Sequence, residues 1–159
     1  MADARIFQDL KADHDRHRAM LTELAAANFE DRGELFETLR IEISAHAAAE
    51  EESLYATMLG NPDLRDEARH SVSEHKEIDD FFGELIEIDP ASAEWTAKFK
   101  EMRHRYEHHI DEEEEEMFPA ASEKLSSDEE ARLAKVFERR KPKELERAEA
   151  TPAGGDERE

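Results

Sequence analysis

Four long stretches of this chain carry side chains at alternating steps of three and four, the inward stripe of a helix bundle. The first runs Phe7, Leu10, His14, His17, Leu21, Leu24, and the second Phe36, Leu39, Ile43, His46, Glu50, Leu54. The third runs Ala68, Val72, His75, Asp79, Phe82, Ile86, and the fourth Trp95, Phe99, Met102, Tyr106, His109, Glu113, Met117. Breakers separate them: Gly33, then Gly60-Asn61-Pro62, then Asp89-Pro90 with Ser92 as an N-cap. The spacing predicts helices over 4–28, 34–59, 63–88 and 92–118, with a shorter helix over 127–139, where Ser127 and Glu130 have capping-box spacing. Short loops make neighbours antiparallel. The expected fold is all-α: an up-down-up-down four-helix bundle over residues 1–140, with the short fifth C-terminal helix on one end. Residues 141–159 are charged and contain Pro142, Pro152 and Gly154-Gly155, so a disordered tail is expected there.

Composition narrows the possible partners. The formal charge of −21 repels nucleic-acid phosphates and anionic membrane surfaces, so neither is expected to bind. With 0 Cys, disulfides, Fe–S clusters, thiolate zinc sites and cysteine nucleophiles are excluded. No apolar run approaches the ~20 residues of a membrane span. The first residues lack the apolar core of a secretory signal, and a cytoplasmic protein is expected.

Each stripe is broken near its middle by ionisable groups: His14, His46 with Glu50, His75, and His109 with Glu113. Antiparallel threading brings them to similar depth. Burying carboxylates and imidazoles together costs several kcal/mol per charge unless they are paired or bind a cation. Neutral imidazole and carboxylate suit iron, zinc or manganese. His and Glu at i, i+4 share one helix face, and the pair occurs twice, as His46/Glu50 and His109/Glu113. The repeat goes further: Glu51 matches Glu114, Leu54 Met117, Tyr55 Phe118, and Asp13-His14 matches Glu74-His75. Two similar hairpins related by an approximate two-fold favour a two-metal centre, each half supplying two imidazoles and one carboxylate.

A single histidine on a stripe is more often a hydrogen-bonded core residue, but four at one depth with two repeated carboxylates favour a metal. The acidic run from Asp111 to Glu116 reads as a solvated face from which only Glu113 points inward. Trp95, Phe99, Phe82 and Tyr106 read as core. His17 shares the stripe of His14, but the repeat puts Ile78 in its place, so His14 ranks as the ligand and His17 behind it. His70, His104 and His108 fall off the stripes and read as solvated, and the Glu67/His70 and Glu101/His104 pairs are rejected as the buried site.

These motifs resemble the hemerythrin-like family, the HHE cation-binding domains, over Leu10 to Pro119. The resemblance rests on Asp13-His14, on His46 with Glu50-Glu51 and Leu54-Tyr55, on Glu74-His75, and on His109 with Glu113-Glu114 and Met117-Phe118-Pro119. It implies two non-haem iron ions in the bundle, with His14, His46, His75 and His109 as terminal ligands and Glu50 and Glu113 as bridges. Oxygen-carrying members have a fifth histidine one turn after the third-helix ligand, where this chain has Asp79; that departure counts against simple oxygen carriage. The six side chains leave open roughly a third of the ~12 positions of two octahedral irons, for an oxo or hydroxo bridge, water and an incoming molecule. A narrow, dry core suits O2, NO or peroxide better than a bulky substrate. Three functions are compatible with that site: binding of such a ligand for storage, sensing or delivery; a di-iron oxidase, peroxidase-type or NO-detoxifying enzyme; or a bundle with zinc or structural metal.

Overall fold

The computed structural model describes residues 3–151, and its secondary structure is helical throughout. Helix α1 (Arg5–Ala26) is followed by α2 (Arg32–Glu50), which runs through a π-helical turn at Glu51–Tyr55 into α3 (Ala56–Leu59). Helix α4 (Arg65–Ile86) leads to α5 (Ala93–Glu112), which passes through a second π turn at Glu113–Met117 into α6 (Phe118–Lys124). Helix α7 (Ser127–Ala150) closes the chain's described part. The long members α1, α2–α3, α4 and α5–α6 form the expected up-down-up-down bundle.

Local signals set most boundaries. Ser92 Oγ accepts from the Trp95 amide at 3.1 Å and starts α5. The capping box of α7 lies one residue before the expected pair. Ser126 Oγ accepts from Glu129 N (3.1 Å), and Glu129 Oε1 accepts from Ser126 N (3.0 Å). The two π turns fall within one position of each other in the repeat, the first starting at Glu51, just after Glu50, and the second at Glu113 itself. Such turns cluster at functional sites, because the extra residue re-aims neighbouring side chains. In the first, Ser53 Oγ donates to the Ala49 carbonyl at 2.7 Å, occupying a backbone acceptor where the helix widens.

The first, second and fourth stripes are buried as expected, but on α4 the inward face is rotated. Ser71, His75, Ile78, Phe82 and Leu85 are buried, Val72 and Asp79 are half-buried, and Ile86 is 50% exposed. The buried set keeps a seven-residue period, Ala68, His75 and Phe82 with Ser71, Ile78 and Leu85, so the packed face is turned by a constant amount toward the residues just before Val72, Asp79 and Ile86.

Helix α7 corrects two expectations. It is not a short helix on one end, and residues 141–150 are not a disordered tail: the helix runs alongside α1 and α2 to Ala150. Pro142 lies inside it and costs about 3 kcal/mol. Burial of Leu133 and Phe137 offsets that, at about 1.5–3 kcal/mol each. Arg40 also donates to the carbonyls of Ala148 and Thr151, both at 3.2 Å, which pins the end of the helix. The remainder of the expected tail, residues 152–159, lies outside the described residues.

Glu144 on α7 is 5% exposed, and burial together with the nearby Glu52 pushes its pKa up to about 7. Below the unfolded value of 4.5 the carboxyl is protonated in both states and contributes nothing. Above about 7 the folded state holds a disfavoured charge, so stability is lost as pH rises through that window. Glu144→Gln is therefore expected to stabilise by on the order of 1 kcal/mol at pH 8, about 2–4 °C in melting temperature, and to do little at pH 4. Equal melting temperatures at pH 8 would refute this.

Candidate metal centre

Two separate apolar cores build the place where the site sits. One holds Phe7, Leu10, Leu54, Met58, Phe118 and Phe137; the other holds Leu21, Phe36, Ile43, Phe82, Trp95 and Phe99. The ionisable layer lies among them, within the four helices. His14, His46, Glu50, His75, His109 and Glu113 are all between 0% and 5% exposed. The six residues singled out by their spacing are brought together.

They form two groups that share a member. Ligand-type atoms of Glu50, His75, His109 and Glu113 lie within 4.8 Å of one another, as do those of His14, His46 and Glu50. Each carboxylate faces one imidazole of its own helix and one from the other half of the repeat. Glu50 Oε1 is 3.6 Å from His46 Nε2 and 3.4 Å from His75 Nε2. Glu113 Oε1 is 3.0 Å from His109 Nε2 and 3.5 Å from His14 Nε2. Each carboxylate thus lies between imidazoles from the two halves of the chain.

The other ring nitrogens are held by four carboxylates whose roles the spacing alone did not assign. His46 Nδ1 is bonded to Asp13 (2.8 Å), His109 Nδ1 to Glu74 (2.8 Å), His75 Nδ1 to Glu51 (2.8 Å) and His14 Nδ1 to Glu114 (2.7 Å). Each of these acids is the sequence neighbour of one of the six, yet each orients an imidazole on a different helix. The signal was present in the repeat itself, as the matched pairs Asp13-His14 with Glu74-His75, and Glu50-Glu51 with Glu113-Glu114. An Nδ1–H donated to a carboxylate fixes the tautomer, aims Nε2 at the centre and raises its basicity. Lys141 of α7 donates to Asp13 Oδ2 at 2.8 Å, so α7 supports His46 through Asp13.

With the Nδ1 positions satisfied, the inward atoms are left over. His14 Nε2, His46 Nε2, His109 Nε2, both Glu50 oxygens and Glu113 Oε1 are buried without a hydrogen bond. At about 1–3 kcal/mol for each orphaned polar group, the set rivals a domain's whole stability of about 5–15 kcal/mol. Charge is minimised in part by proton placement. Burial and the charge of Glu113 push Glu50 well above the usual carboxylate range. Burial opposes ionisation of Glu113 too, but the His109 charge outweighs it and holds Glu113 well below that range. Burial disfavours the His109 imidazolium, yet Glu113 and Glu74 push its pKa up to about 10. Burial holds His46 down to about 3 and also lowers His75, leaving two neutral imidazoles suited to a cation. A divalent ion among these atoms would satisfy them all; the donor set fits one or two such ions.

His17 stands outside both groups. Its Nδ1 lies 2.7 Å from the Tyr106 hydroxyl, its ring meets His46 edge-on at 5.1 Å, and its buried Nε2 has no hydrogen bond. Asp79 is also outside them and lines a cavity of about 700 Å³ among α2, α4 and α7. That cavity opens to the surface and reaches His75 and Tyr106 beside the cluster. Tyr55, read only as part of the repeat, donates its hydroxyl to Glu113 Oε2 at 2.6 Å.

The chain is 27% identical over 158 residues to a protein named DNA nickase from Nostoc sp. (strain PCC 7120 / SAG 25.82 / UTEX 2576), matching 96% of this chain. The chain spans 44% of that relative's length. The fold is similar to the crystal structure of a hemerythrin HHE cation binding domain-containing protein, the Rv2633c homologue from Mycobacterium kansasii. The TM-score is 0.79 at 24% identity, covering 94% of this chain and 91% of that one. Residues 5–121 fit the model of the hemerythrin HHE cation-binding domain, and the chain belongs to that family.

Proposed function

We propose that this protein holds two non-haem iron ions through His14, His46, Glu50, His75, His109 and Glu113, and binds O2, NO or peroxide there for storage, sensing or delivery. The observation that carries this reading is the set of unpartnered inward nitrogens and oxygens, each imidazole braced from behind by a carboxylate. When bound, iron supplies redox-active positions open to a small ligand. The chain's own part is to orient the imidazoles, to keep bulk water out with two apolar cores, and to hold Glu113 by the Tyr55 hydroxyl. The cavity beside His75 offers the way in.

The size of that cavity also favours a second reading, a di-iron enzyme of oxidase, peroxidase or NO-detoxifying type, since about 700 Å³ exceeds what a diatomic needs. The nickase activity of the cyanobacterial relative is not carried over: the charge of −21 repels phosphate. We read the protein as cytoplasmic, and no described helix is long and apolar enough to cross a membrane.

Metal analysis, anaerobic reduction and O2 titration test the binding reading. About two irons per chain and a reversible, stoichiometric oxygen adduct are expected. Consumption of peroxide or NO faster than by free iron, without such an adduct, would replace it by the enzyme. Glu113→Ala should abolish two-metal stoichiometry, because one carboxylate faces both halves; retention of two metals would refute the bridging role. Asp13→Ala should weaken metal binding by about 10–100-fold with helicity unchanged, because His46 loses its brace. Unchanged affinity would show that the brace is dispensable.

A further inference from the structure

Near the buried cluster, and opening to solvent, is a third group of ligand-type atoms. His70 and Glu74 lie four residues apart on one face of α4, and Glu112 ends α5 opposite them. Their ligand atoms lie within 4.8 Å of one another. His70 Nε2 is 3.5 Å from Glu74 Oε2 and 4.0 Å from Glu112 Oε1. The side chains of His70 and Glu112 are 58% and 34% exposed, so water and dissolved ions reach them.

Two observations connect this group to the buried one. Glu74 uses both oxygens: Oε1 accepts a hydrogen bond from His109 Nδ1–H at 2.8 Å, and Oε2 faces His70. One carboxylate thus stands between an exposed imidazole and a buried one. The group also lies in a cleft of about 270 Å³ whose lining includes His109 and Glu113. These side chains are 1% and 2% exposed, and His109 Nε2 and Glu113 Oε1 stand 3.0 Å apart without making a hydrogen bond. A cleft of this size has room for a hydrated divalent ion. Asp66, Glu67 and Glu116 also line it and add negative charge.

We propose that His70, Glu74 and Glu112 form a second, surface-facing divalent-cation site, which captures the ion and hands it through Glu74 to the buried cluster. The hand-over rests on the buried centre proposed above; the surface site does not. An ion that sheds its water reluctantly is best delivered to a buried site along a polar route, and this cleft, on the other side of the cluster from the cavity beside His75, supplies exchangeable oxygen and nitrogen ligands along one.

Anaerobic cobalt(II) titration of the full chain, followed calorimetrically and by stopped-flow absorption, tests both parts. The wild-type chain should bind two equivalents tightly and one more weakly. His70→Ala combined with Glu112→Gln should lose the weak equivalent, keep the two tight ones, and fill them about tenfold more slowly. The single variant Glu101→Gln, which removes an exposed charge on the same helix, should change neither number. A weak equivalent that survives in the double variant overturns the surface site, as does an equal loss in Glu101→Gln. Loss of the weak equivalent with unchanged filling rate overturns the hand-over. A wild-type chain showing only the weak equivalent would instead overturn the buried-centre reading and leave the surface site standing.

Discussion

Two carboxylates in the middle of a bundle, Glu50 with neither oxygen hydrogen-bonded and Glu113 bonded only through Oε2 to the Tyr55 hydroxyl, set the terms for everything around them. Glu50 and Glu113 are buried between two apolar cores, each facing imidazoles from both halves of the chain. Neither core could be continuous with that layer present, and the layer could not persist if the cores did not hold the helices rigidly to either side. Proton placement on Glu50 and His109 reduces the charge, but it leaves the inward atoms unbonded. A cation satisfies imidazole nitrogens and carboxylate oxygens together and neutralises the buried charge as it does so.

The bracing of the imidazoles shows how a repeated sequence can interlock its own halves. Asp13 holds His46, and Glu74 holds His109, each within one hairpin. Glu51 holds His75, and Glu114 holds His14, each across to the other hairpin. The inward residue and its neighbour differ by one position, hence by about a quarter turn of helix, so one points to the centre while the next meets the adjacent helix. The π turns that begin at Glu51 and Glu113 lie at this junction in both halves. Two short motifs, used twice, thereby define the centre and tie the halves of the bundle to each other.

Helix α7 adds a support that the two-fold does not contain. It lies against only one half, where Lys141 bonds the carboxylate behind His46 and Phe137 packs 5.8 Å from the His46 ring. Its far end also walls the cavity that reaches His75. The two halves of the centre, alike in their ligands, are therefore unlike in their surroundings: one is backed by a helix and the other opens toward a cleft of acidic residues.

The helix class, the bundle and the six converging residues were legible in the sequence, because side-chain period and the cost of burying charge both act locally. His14, His46, Glu50, His75, His109 and Glu113 had to point inward wherever the apolar residues around them did. Other features depended on how the helices sit against one another. The stripe of α4 turned from Asp79 and Ile86 to Ile78 and Leu85, and Pro142 was tolerated because Phe137 and Ala148 found cover. The tertiary arrangement alone decided which acid meets which imidazole, where the cavity opens, and that Glu74 serves two sites. Periodicity fixes which face of a helix is buried; only packing fixes the rotation and axial shift that set distances between side chains on different helices.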